Sequence, residues 1–304
     1  MNIQGLCEFL FVDHGDAMDL IVNLAPTGIV PTKSMTPNVP VSVSEIIEQV
    51  HEAYELGITM AHVHAREPGS GEPSCSAKIY RDINEGIRAH APDLIICVSL
   101  SGRSFKEFER RAEPLELDGL AKPDMGSLTL ASLNFTGQAS ENSPEMVQAL
   151  AARMQEKAIA PELEAFDLGM INYAKYLERR GLIEPPHYFN LLLGNIASAQ
   201  ADLLHAGLMI RDLPSKSLWS LAGIGDVQLS MNALAVSCGG GVRVGLEDSI
   251  WFDRGRSTLA TNIGLVRRIH ELASLHGRKI MSPTKLRNTL GLLPGHGAYG
   301  RAQV

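Results

Sequence analysis

The sequence has no excess of basic residues, no paired cysteine motif and no long apolar run, and each absence removes a class of function. Its 27 lysines and arginines against 34 aspartates and glutamates leave a formal net charge of −7. There is thus no electrostatic footprint for nucleic acid or for an anionic membrane surface. The four cysteines, Cys7, Cys75, Cys97 and Cys238, are scattered without a CxxC pair, which fits reduced thiols in a cytoplasm better than a disulfide framework. No apolar stretch approaches the roughly 18 residues that a membrane span needs. The opening MNIQGLCEFLFVDHGDAMD carries neither a basic leader region nor a cleavage-like ending, so no targeting segment is expected. Low-complexity segments, repeats and linker-like changes of composition are also missing, and the expectation is a single domain over 1–304.

What is present is a regular alternation of short apolar runs with helical patterns. Strands are predicted at 19–26, 58–66, 94–102, 124–132, 162–169, 187–194, 218–225 and 241–248. Between them, helices are predicted at 42–57, 76–92, 105–117, 143–158, 170–181, 199–214 and 228–239. An eighth helix at 259–277 and a short closing helix from Ser282 follow. Eight such units in an α/β chain argue for one (β/α)8 TIM barrel with a short N-terminal extension and C-terminal closing helices.

In that architecture the stretch AHVHAREPGSGE, residues 61–72, acquires a direction. His62 and His64 fall on one side of the second strand, roughly 6.6 Å apart along it, at the C-terminal end where barrel enzymes build their sites. They read either as a half-site for zinc or a similar divalent ion, or as hydrogen-bonded core histidines. The last strand, VRVGLEDS, puts Arg243 and Glu247 on one face with Asp248 beside them at the rim. Two histidines and one glutamate would leave a fourth position open, as a catalytic ion requires, whereas an acidic pair alone also fits a solvated strand end.

Weaker signals surround this set. Ser99 and Ser101 share a face at the end of the third strand, and Ser127 and Thr129 in the fourth could donate to a substrate carboxylate or merely satisfy nearby backbone. Arg66 shares parity with both histidines and could hold an anion or form a surface ion pair. Glu162 and Glu164 share a face of strand five. The glycines of CGGGVRVG precede strand eight, away from the chemistry, whereas Gly223 and Gly225 of LAGIGD follow strand seven. There they could let the backbone approach a CoA phosphate, or simply make a tight turn.

In order and spacing, NLAPTG, HVHAREP and GVRVGLEDS resemble the β-keto acid cleavage enzymes, of which 3-keto-5-aminohexanoate cleavage enzymes are the best known. The resemblance runs from about residue 19 to LRNTLGL at 286–292 and includes TPNVPVSVSEI. It implies a cytoplasmic, homotetrameric barrel with one Zn2+ per chain, held by His62, His64 and Glu247. It further implies Asp248 as base, assisted by Arg243 and Ser99. The implied reaction takes a β-keto acid and acetyl-CoA to acetoacetate and a new CoA thioester. Ser127, Thr129 and Arg66 are the candidate substrate contacts, and Gly223 and Gly225 the candidate contacts to CoA.

Two readings compete with this one. A metal-dependent hydrolase of the amidohydrolase type also uses HxH in a barrel, but on its first strand and with further histidines from strands five and six. Here the first strand, DLIVNLAP, has none, and His187 stands only at the start of strand six. A non-enzymatic barrel would have lost a ligand or the base, and this chain keeps the full set. One departure bears on substrate: relatives acting on amino-bearing keto acids are expected to carry GAE where this chain has Gly28, Ile29 and Val30. Without that counter-charge an ammonium would be unpaired, so an uncharged or apolar tail is expected.

Overall fold

The computed structural model describes residues 19–302; the short N-terminal extension, with Cys7 and the segment read as carrying no leader, lies outside them. Eight parallel strands close into a barrel: β1 (Val22–Leu24), β2 (Met60–Val63), β3 (Ile95–Val98), β4 (Met125–Thr129), β5 (Ala160–Ala165), β6 (His187–Leu193), β7 (Ser217–Gly223) and β8 (Gly241–Val244). Each pairs with its sequence neighbours, and β8 returns to β1 with Asn23 opposite Arg243. The helices are α1 (Val43–Leu56), α2 (Ala77–His90), α3 (Phe108–Ala112), α4 (Pro144–Glu156), α5 (Leu168–Arg179), α6 (Leu203–Arg211), α7 (Gln228–Ser237), α8 (Asn262–Leu275) and the closing α9 (Pro283–Leu290). No helix among the described residues is long and apolar enough to cross a membrane.

Local chemistry sets these boundaries. Ser42 and Glu45 form a reciprocal capping box at the start of α1, and Gly57 ends it in the left-handed conformation at φ 102°. Asp167, Asp202, Thr261 and Ser282 each accept an amide at the start of α5, α6, α8 and α9. The sequence reading overextended several elements, the first four strands among them. β8 stops at Val244 rather than at 248, α6 is shorter at both ends than 199–214, and the helix expected over 105–117 is the five-residue α3 followed by a 3-10 turn over 113–116. Two small hairpins, 65–66 with 73–74 and 133–134 with 139–140, were not anticipated.

Inward side chains stack in layers. The lowest is apolar, with Ile21, Met60, Ile95, Met125, Ala160 and Tyr188 packed against Leu286 and Leu290 of α9. The layer above is polar: Asn23, His62, Glu162, Asn190, Ser220 and Arg243 are all buried, with Asn23 opposite Arg243, Asn190 opposite Ser220, and both Asn23 and His62 reaching Glu162 across the pore. Parallel strands keep register partners on one face, so these inward polar residues from six of the eight strands meet inside the barrel as a polar ring. That ring is the floor of the site.

Candidate active site

At the mouth, a cavity of 570 Å³ is lined by His62, His64, Ser99, Glu164, Arg243, Glu247 and Asp248, among others. The Nε2 atoms of His62 and His64 are 3.2 Å apart, and His64 Nε2 is 3.1 Å from Glu247 Oε1. His62 turns its other nitrogen, Nδ1, to Glu162 Oε2 at 2.5 Å. With the Nδ1 proton donated to that carboxylate, the Nε2 lone pair is left facing His64 and Glu247, which is the carboxylate–histidine arrangement that orients metal-ligating imidazoles. Burial lowers the pKa of both rings, and for His62 the Glu162 carboxylate reverses that so that its pKa is raised. Burial would raise Glu162 in turn, but His62, Arg243 and the Cys97 thiol hold it at about 2. Asn23 steadies the same carboxylate from the far side, donating to Oε1 at 2.8 Å.

These three donors fit a divalent ion. His62, His64 and Glu247 present ligand atoms within 4.8 Å of one another, and Glu247 Oε2 is buried without any hydrogen-bond partner among the described residues. A buried acceptor oxygen beside two inward ring nitrogens is costly unless something positive meets it, and two nitrogens with one oxygen suit zinc with one position left open.

Arg243 ties the rest together. Its guanidinium donates to Glu247 Oε1 at 2.7 Å, to Glu164 Oε1 at 3.2 Å and, through Nε, to Asp248 Oδ2 at 3.2 Å. Arg243 pulls the Asp248 pKa down, but burial outweighs it and, with Glu247 nearby, raises the carboxyl to about 6. Arg243 is thus in contact with Asp248 and favours its ionised form, while burial sets the net direction. Asp248 remains ionised at neutral pH and is a stronger base than an exposed aspartate.

Glu247 does not reach the cavity by strand alternation, as the sequence reading had it, whereas Asp248 does lie where the chain has left the strand. The strand ends at Val244, and both lie in the turn that follows. Gly245 makes this turn at φ 155°, where a Cβ would stand 2.0 Å from the Ala25 carbonyl oxygen. Gly28, at φ 63°, leaves room for Glu247, whose Cγ would be 2.6 Å from a Cβ there. One glycine delivers the carboxylate and the other admits it.

Other expected site residues fall into two groups. Ser99 lines the cavity, and its hydroxyl has no protein partner among the described residues; Thr129 lines it too and donates to Glu164 at 2.7 Å. Three assignments are corrected. Arg66 spends Nε, Nη1 and Nη2 on the carbonyls of Gly28, Gly71 and Pro31, clamping the loop after β1. The Ser127 hydroxyl accepts from the Leu100 amide at 3.0 Å and does not line the cavity. Gly223 is a packing glycine, because a Cβ there would be 2.4 Å from the Val227 carbonyl oxygen. Gly225 does face the cavity, but its N–H already donates to Asp248 O at 2.7 Å. The amidohydrolase set is not assembled either, since His187 lies at the opposite end of β6 and pairs with Glu178 at 3.0 Å.

Fold and site together define a (β/α)8 barrel whose mouth gathers two histidines, three carboxylates and a buried arginine. A model of the β-keto acid cleavage enzyme family matches residues 19–292. The chain is 37% identical to a 3-keto-5-aminohexanoate cleavage enzyme of Fusobacterium nucleatum, covering 90% of this chain and 98% of the relative. It is 38% identical to a 3-oxoadipate:acetyl-CoA acetyltransferase of Cupriavidus necator, covering 90% and 94%. Among solved structures, apo ObcA superposes with a TM-score of 0.74 at 19% identity over 84% of this chain and 66% of that one, a likeness of fold. The chain belongs to the β-keto acid cleavage enzyme family and is an enzyme of its carbon–carbon bond-cleaving, acyl-transferring class.

Proposed function

We propose that the protein is a zinc-dependent enzyme that converts a β-keto acid and acetyl-CoA into acetoacetate and a new acyl-CoA, with the whole chain acting as one barrel unit. The observation that carries this reading is the convergence of His62, His64 and Glu247, with an unpartnered Glu247 oxygen, beside the Asp248 carboxylate. A bound zinc ion would polarise the keto oxygen and orient the substrate.

The chain's own residues do the rest. Asp248 removes the proton on the carbon between keto and carboxyl groups, and Arg243 keeps the Asp248 carboxylate aimed. That carbon then bonds to the acetyl carbonyl carbon, and the CoA thiolate leaves. The thiolate bonds to the original keto carbon, the bond from that carbon to the former carbanion carbon breaks, and the proton held by Asp248 returns to the latter, which releases acetoacetate and the new thioester. Ser99 and Thr129 are the hydroxyls placed to orient the substrate carboxylate, and Gly225 gives acetyl-CoA a side-chain-free wall. Ile29 and Val30 line the cavity, so a tail bearing an ammonium group would find no counter-charge there.

A panel of β-keto acids assayed with acetyl-CoA for acetoacetate, together with elemental analysis of the purified protein, tests the proposal. About one zinc per chain and acetoacetate from at least one acid are expected; metal-free protein with full turnover would overturn it. The reading also includes a cytoplasmic homotetramer, whose assembly light scattering would measure.

A further inference from the structure

The cavity holds a cation that none of this chemistry uses. Arg103 follows β3, is half-buried and lines the cavity. Its guanidinium lies 3.3 Å from the centroid of the Phe135 ring, and Phe135 meets Phe166 edge to face at 5.7 Å. Among the described residues this guanidinium donates no hydrogen bond and forms no ion pair. The three acids whose charges reach it make their hydrogen bonds elsewhere: Glu164 takes Thr129 and Arg243, Glu247 takes His64 and Arg243 on Oε1 while its Oε2 has no partner, and Asp248 takes Arg243.

Arg103 is also held in place. Arg111 donates to Leu100 O at 2.9 Å, to Glu141 O at 3.0 Å and to Asn142 Oδ1 at 2.7 Å, pinning the β3 loop to the 133–140 hairpin region. The Glu141 amide donates to Gly102 O at 3.2 Å, and a Cβ at Gly102 would stand 2.3 Å from Glu141 O. A stacked and fixed guanidinium loses little freedom on meeting a carboxylate, which its planar fork matches with two parallel hydrogen bonds.

We propose that Arg103 is a specificity-determining residue that receives the terminal carboxylate of a β-keto diacid. The inference rests on the reaction proposed above and names its substrate class. Ile29 and Val30 still exclude an ammonium tail, and the uncharged tail expected from the sequence gives way to an anionic one. Burial lowers the Arg103 pKa while Glu247, Glu164 and Asp248 raise it, so the group sits close enough to the reacting end to feel those charges. The long pantetheine arm separates the phosphates of CoA from its thioester, so a cation near the reacting carboxylates faces the keto acid rather than those phosphates.

Titration calorimetry with adipate and hexanoate, which differ only at the terminal carboxylate, tests this without turnover. A protein that cleaves nothing still answers the question, whereas failure of the whole keto-acid panel speaks only to the reaction. The wild type is expected to bind adipate more tightly than hexanoate. Arg103→Met should reduce the adipate-over-hexanoate ratio by about 10- to 100-fold, the loss expected for hydrogen bonds to a charged group, and Arg103→Lys should restore part of it. Equal wild-type affinities, or a ratio unchanged in Arg103→Met, would overturn the proposal. So would equal weakening of both acids, which would assign Arg103 to the carboxylate they share, or a loss confined to CoA binding.

Discussion

Arg287 and Arg243 are both fully buried arginines of one barrel, at its lower end and its mouth, and their surroundings differ in a way that separates stability from function. Arg287 has every donor in use: Nε on Asp93 O, Nη1 on Asp124 Oδ1 and Leu293 O, Nη2 on Leu94 O and Asp124 Oδ2. Asp124 takes further donors from Arg88, the Ile96 amide and the Gly300 amide. Arg243 instead faces three carboxylates that outnumber it, and one oxygen of Glu247 has no partner. A saturated network fixes the segment from α9 to Gly300 to the barrel; an unsaturated one leaves a buried acceptor free for the proposed cation.

The sharpest test of the contrast lies at the mouth. Asp248→Asn keeps size and removes the base, so acetoacetate formation should fall by about 100- to 10,000-fold with metal content retained. Glu247→Gln should lose metal instead. An active Asp248→Asn protein, or one that loses metal as readily as Glu247→Gln, would sink the division of labour between the two residues.

At the lower end, Arg287→Met takes two charged hydrogen bonds from the buried Asp124 and leaves three carbonyls, of Asp93, Leu94 and Leu293, without that partner. Breaking one side of a buried pair costs about 3–5 kcal/mol, and denaturant unfolding should read that loss while zinc content per folded chain stays the same. If Arg287→Met proved as stable as the wild type, the saturated cluster would not be the structural anchor described here.

A milder change probes the layer between. Glu162→Gln removes the charge that orients His62 without touching a proposed ligand, so zinc affinity should fall by about 10- to 100-fold. Excess zinc should recover much of the activity. Unchanged zinc affinity would reduce Glu162 to a core residue satisfied by Asn23 and Cys97.

Much of this mouth was legible because a strand's period is two: His62 follows from parity, as do Glu162, Glu164 and Arg243, and His64, one residue past the end of β2, keeps the same side. Parity failed where the strand stopped early. β2 ends at Val63 and the chain restarts in a hairpin, so Arg66 turns to loop carbonyls although its parity matched the histidines. The Ser127 hydroxyl was taken by the Leu100 amide, because β3 ends at Val98 and leaves that amide without a strand partner. Glu247 was placed for the wrong reason, since the Gly245 turn rather than the pleat aims it. Arg103 was out of reach, because its role depends on Phe135, which a separate hairpin brings beneath it from 32 positions along the chain.

The smallest effect belongs to a third setting, the surface. Burial acts to raise the Glu45 carboxyl, but Lys33 at 2.6 Å and the amides of Ser42 and Val41 outweigh it and hold the pKa at about 2 rather than 4.5. A carboxyl with a depressed folded pKa adds stability that is fully present above the unfolded value, here 4.5, and is lost as pH falls through the folded value of about 2. Glu45 is 36% exposed, so screening leaves about 1 kcal/mol or less of this. Glu45→Gln keeps a side chain able to close the capping box and deletes the charge. The stability gap between the two proteins should therefore be full at pH 7, narrow below pH 4.5 and vanish near pH 2, and shrink with added salt. A gap that is constant across that range would mean the box acts through its hydrogen bonds alone, and the contrast between buried and exposed charge would rest on the two inner clusters.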